Sequence, residues 1–124
     1  MAYDPNNVFA RILRGELPCD KVYEDTHVLA FRDIQPQAPV HVVLIPKGAY
    51  VSVDDFSANA SDAELAGFFR AIGRIAVQQG VAEGGYRILA NHGEAARQEV
   101  PHFHVHLFGG RDLGVVLARA EPKR

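Results

Sequence analysis

The chain of 124 residues holds one cysteine, one methionine and no tryptophan. With Cys19 alone, an internal disulfide and any Cys-x-x-Cys metal knuckle are excluded, and the expected place of Cys19 is that of a small residue beside a turn. An excess of one charge is missing too. Thirteen Lys and Arg stand against 15 Asp and Glu, giving a formal net charge of −2. That balance offers no basic face to a polyanion, so a nucleic acid partner is not expected and a free nucleotide is the better ligand. No apolar run approaches the roughly 20 residues that cross a bilayer, and the N-terminus carries no apolar leader, so no membrane partner and a cytoplasmic location are expected. Internal repeats and low-complexity tracts are also absent, and the length suits a single domain.

What the chain does have is His102-Phe103-His104-Val105-His106, followed by Leu107-Phe108-Gly109-Gly110. Successive side chains of a strand point to opposite faces, so the pattern predicts a strand with three imidazoles on one face and Phe103, Val105 and Leu107 on the other. Neighbouring rings would stand roughly 7 Å apart, two strand rises, which suits contact with a phosphorus atom and its oxygens together. A cluster of imidazoles must stay largely uncharged or recruit an anion or a metal. Spacing alone leaves both open, because His-x-His is also a ligand pair of zinc sites.

The remaining elements are punctuated clearly. Asp4-Pro5 reads as a helix start, with Val8, Phe9, Ile12 and Leu13 on one stripe and Gly15 as the stop. Lys21 to Glu24 and Val28 to Arg32 read as a hairpin around Asp25-Thr26-His27, and His41 to Ile45 as a third strand between prolines. Ser61-Asp62-Ala63-Glu64 is a capping box opening a helix whose stripe is Leu65, Phe68, Phe69, Ile72, Ile75 and Ala76, ending near Gly80. Tyr86 to Asn91 and His102 to Phe108 supply two more strands, with a loop from His92 to Val100 between them. The expected class is α+β, with a five-stranded, mostly antiparallel sheet and two helices. Phe9, Ile12, Leu17, Phe31 and Ile34 read as core on composition, and His27 and His92 as surface residues.

The segment from His102 to Phe108 resembles the alternating histidine signature of the histidine triad (HIT) superfamily of nucleotide hydrolases and transferases. Phe31 to Lys47 is similar to that family's second block, and Gly85-Tyr86-Arg87-Ile88-Leu89-Ala90-Asn91 to its third. The resemblance runs from about residue 8 to residue 111, leaving 112–124 as a C-terminal extension. Gly109-Gly110-Arg111 resembles the Hint-like branch, and His106 argues against the uridylyltransferase branch, which carries Gln there.

The resemblance implies a HIT-like fold paired into a homodimer, and a hydrolase of purine nucleoside phosphoramidates or adenylates releasing a nucleoside monophosphate such as AMP. It implies His104 as the nucleophile, His106 as the α-phosphate ligand, and His102 and His41 as residues that orient the cluster, with no metal and no cofactor. Asp33 would accept bonds from the ribose hydroxyls. Asn91, Gln98 and the backbone up to Val100 would supply donors to phosphate, and Phe9, Ile12, Leu17, Phe31 and Ile34 would line the purine slot. Two departures stand out. Glu99 occupies the place of a serine that serves the leaving amine in eukaryotic relatives, and no Trp-Pro-Pro ending follows Arg111. The alternatives are a dinucleoside polyphosphate hydrolase and a nucleotide-binding regulatory module with vestigial catalysis.

Overall fold

A computed structural model describes residues 2–118, so the end of the C-terminal extension, 119–124, lies outside the described residues. The element order is α1 (Val8–Leu13), β1 (Lys21–Glu24), β2 (Val28–Arg32), β3 (Val40–Pro46), α2 (Val53–Asn59), α3 (Asp62–Gln78), β4 (Tyr86–Leu89) and β5 (Val105–Gly109). One five-stranded sheet has the order β1-β2-β3-β5-β4, and every neighbouring pair is antiparallel.

The central strands are apolar on both faces because both faces are covered. Val28, Ala30, Val42, Leu44, Val105 and Leu107 pack against Phe56 of α2 and Phe68, Ile72 and Ile75 of α3. Each of these side chains larger than alanine contributes about 1.5–3 kcal/mol relative to exposure. On the opposite face Leu29, Phe31, Val43 and Ile45 form a smaller cluster under Phe9, Ile12 and Leu13 of α1, with Cys19 half-buried at its margin.

The α3 capping box is complete. Ser61 Oγ accepts from the Glu64 amide and the Glu64 carboxylate accepts from the Ser61 amide. The glycine pair after the histidines has two separate causes. A Cβ on Gly109 would stand 2.7 Å from Val81 Cγ1, so α3's exit can pack on β5 only with glycine there; Gly110 takes φ +91° beside Pro39, a conformation that L side chains rarely adopt.

The structure corrects several expectations. A third helix, α2, goes unread in the sequence because only Phe56 of its seven residues is buried, which leaves no stripe to detect. The first helix starts at the Asn7 cap rather than at Asp4-Pro5: Asn7 Oδ1 accepts from the Ala10 amide, while Asp4 closes the preceding turn. β4 stops at Leu89, short of Asn91, and β5 begins only at Val105. The alternation expected from His102 onward survives without ladder bonds at its start, since Phe103 packs beside Phe56 and Phe68 in the larger core. Ile34 is 94% exposed and Phe69 60% exposed, so neither is core.

Candidate active site

Directly paired residues of antiparallel strands share a face, which places the site by register. One row crosses the sheet through Phe31, Val43, His106 and Leu89, and the next through His41, Phe108 and Arg87. The amide of Asp33 extends the latter row by donating to His41 O. The histidines therefore lie on the face that carries α1, and Phe9 sets its ring edge-on to His104 at 5.0 Å between centroids. The His104 and His106 rings are 5.1 Å apart and nearly perpendicular, closer than the strand repeat alone predicts. Phe108 stacks on the far side of His106.

The hydrogen-bond partners fix which nitrogen of each ring carries the proton. A carbonyl oxygen only accepts and an amide N–H only donates. His102 Nε2 is 2.9 Å from Pro46 O, so it bears the hydrogen. Burial pushes His102 down to about 4, leaving the ring neutral at pH 7. Its bare Nδ1 accepts from the Tyr3 hydroxyl at 2.7 Å. His104 donates Nδ1–H to His102 O at 2.7 Å, and burial holds its pKa below the ordinary 6.5, so Nε2 is an unprotonated lone pair.

His106 is set the other way. The Gln37 amide donates to His41 Nδ1 at 3.1 Å, so the proton of neutral His41 sits on Nε2. Burial also lowers the His41 pKa, against the pull of Asp33. That Nε2–H points at His106 Nδ1, 2.9 Å away. His106, pushed to about 4 by burial and then by repulsion from any proton on neighbouring His104 or His41, keeps its own single proton on Nε2. Two imidazoles, one just ahead of β5 and one within it, thus present opposite chemistry, an acceptor at His104 and a donor at His106. Asp33 Oδ2 lies 3.5 Å from His41 Nε2 and its Oδ1 accepts from the Gln35 amide.

Asn91 is half-buried two residues beyond β4. The Gln98 side chain ties down its own loop: Oε1 accepts from the Gly93 amide, and Nε2 donates to Val51 O and Val100 O. Glu99 is exposed, and Leu17 is half-buried. His92, on the surface as its sequence suggests, meets buried Ser52 at 2.5 Å and Asp54 at 3.5 Å. Ser52 is too deeply buried for this serine, histidine and aspartate to act on a substrate. Tyr3, Gln37 and residues 50–52 go unmarked in the sequence, because Tyr3 and Gln37 act from loops and the 50–52 rungs join residues some 40 or more positions apart.

The HIT domain family model matches residues 14–113, and the chain belongs to that family. It is 65% identical over 94% of its length to an uncharacterized 13.2 kDa HIT-like protein of Azospirillum brasilense, covering 96% of that protein. It is 47% identical over 90% of its length to the purine nucleoside phosphoramidase of Escherichia coli K12, covering 92% of that protein. Among solved structures, the HIT family hydrolase from Clostridium thermocellum aligns with a TM-score of 0.82 and 45% identity, over 90% of this chain and 97% of that one.

Proposed function

We propose that the protein hydrolyses purine nucleoside phosphoramidates or related adenylates through a nucleotidyl-His104 intermediate. The observation that carries this reading is the pair of opposed tautomers: His104 offers Nε2 as a lone pair and His106 offers Nε2–H. Nε2 of His104 attacks the α-phosphorus, an N–P bond forms, and the bond from phosphorus to the leaving amine breaks as the amine takes up a proton. Water then attacks phosphorus, the bond to His104 breaks, and a nucleoside monophosphate such as AMP departs. His106 donates to a phosphoryl oxygen as charge develops there. His41 holds His106 in its donor form, and His102 holds His104 through its carbonyl.

Asp33 takes the ribose hydroxyls, and Phe9, Ile12, Leu17, Phe31 and Ile34 line the purine slot. Asn91 donates to phosphate, and Glu99 stands toward the departing amine. Gln98 serves by shaping the 93–100 loop, a role its committed amide supports better than a direct contact. The β4 edge, with Tyr86 and Ile88 exposed, and Phe69 and Val77 on α3 offer the surfaces for a homodimer.

A second reading has one observation in its favour. Ligand atoms of Asp33, His41 and His106 lie within 4.8 Å of one another, close enough to hold a metal ion. A metal there would have to displace the His41–His106 hydrogen bond and with it the donor form of His106. Turnover of an adenosine phosphoramidate and of a dinucleoside polyphosphate, each with and without chelator, separates the readings. The proposal expects faster phosphoramidate cleavage, indifferent to chelation. Preference for the polyphosphate, or activity lost to chelator and restored by zinc, would contradict it.

A further inference from the structure

Tyr3 lies ahead of the span matched by the family, residues 14–113, yet its hydroxyl reaches a histidine 99 positions away. The segment that carries it is firmly built. Asp4 O accepts from both the amide and the side chain of buried Asn7, Asn7 caps α1, and Phe9 of α1 sets its ring against Phe31, His102 and His104. The Tyr3 ring itself packs on His102, 5.6 Å between centroids. His102 is wholly buried, and its ring is held at two points: Nε2–H on Pro46 O and Nδ1 on the Tyr3 hydroxyl. Its backbone carbonyl is in turn the acceptor for His104 Nδ1–H.

We propose that Tyr3 is a positioning residue for the reaction: its O–H holds the His102 ring, and through it the carbonyl that fixes the tautomer and aim of His104. The inference rests on reading His104 as the nucleophile. Removing the hydroxyl strips the buried Nδ1 of its one donor among the described residues, and the His102 ring keeps only its Pro46 anchor, so the peptide under His104 is left to the Phe103 N–H bond to Tyr50 O for support. A residue that merely pinned the N-terminus would affect stability and leave the imidazoles unchanged.

The test is Tyr3→Phe, which keeps the ring. Single-turnover cleavage of an adenosine phosphoramidate should slow at least about fivefold, the lower end for an unsatisfied buried acceptor, with affinity for AMP unchanged. Nitrogen and proton NMR of the substrate-free protein should show the His102 Nδ1 resonance shifted and the His104 Nδ1–H exchanging faster with water. Cleavage at the wild-type rate would overturn the proposal, with or without a lowered Tm. So would a slower rate with His104 Nδ1–H exchange unchanged, since the effect would then not pass through His102. The NMR arm needs no substrate, so a wild type inactive on phosphoramidates would count against the functional reading while the positioning claim is still decided.

Discussion

His104, just ahead of β5, and His106 within it are the same residue type facing the same way, and what separates their roles is the partner behind each ring. Backbone carbonyl behind His104, imidazole of His41 behind His106: each fixes the proton on a different nitrogen. His106→Ala should therefore lower kcat by about 10²-fold or more, the usual loss when one donor to a developing oxyanion is removed. Because burial keeps the His104 pKa below the ordinary 6.5, the acid limb of kcat/KM, where Nε2 gains a proton, should have its midpoint below pH 6.5. A midpoint at or above pH 6.5 would show an ordinary or raised pKa instead. Glu99→Gln tests the leaving group. If the carboxyl supplies the proton, poorly activated amines should slow by about 10²-fold or more while activated aryl leaving groups do not. Equal slowing of both would mark a structural Glu99, and faster turnover throughout would mark a carboxylate that repels phosphate.

Three consecutive residues between β3 and α2 act as a strut for the loop that enters the triad. Phe103 N–H donates to Tyr50 O, Gln98 Nε2 to Val51 O, and Ser52 Oγ meets His92 Nδ1. Gln98→Ala should speed amide exchange over residues 93–100 in the nucleotide-free protein, whereas a Gln98 that touches only ligand would leave that exchange unchanged. At the other end of β5, Gly109→Ala should cost about 1–3 kcal/mol by thermal or urea unfolding, because the new methyl meets Val81. The strands, α1 and α3 were legible because periodicity, caps and β-branched runs are local signals, and the histidine face was legible because a period of two survives even where the ladder has not begun. What escaped has a common physical cause. α2 is held by a single buried Phe56, the strut works through backbone carbonyls, and Tyr3 reaches His102 across nearly the whole chain. None of these leaves a repeating pattern of residue types. Ile34 and Phe69 erred in the opposite direction, since hydrophobicity alone does not say that Ile34 sits in a bend beyond β2 or which side of α3 faces the core.

For the whole molecule, folding stores four histidines in neutral form. His102 and His106 titrate near 4 in the fold against an ordinary 6.5. Between those values the unfolded chain binds more protons than the native one, so stability is complete above pH 6.5 and is lost as pH falls toward 4. Wholly buried His102 alone accounts for on the order of a few kcal/mol. Urea midpoints should drop between pH 7 and pH 4.5, and equal midpoints would contradict neutral burial of the cluster. If the open β4 edge and α3 join two copies, sedimentation should give a dimer at micromolar concentration, and Ile88→Lys with Phe69→Lys should give folded monomer. The central claim, covalent transfer to His104, is tested most directly by single-turnover mass spectrometry with an adenosine phosphoramidate. An adenylyl adduct should map to His104 and vanish in His104→Ala, which still folds and binds AMP; an adduct on any other residue, or full turnover by the variant, would contradict the account.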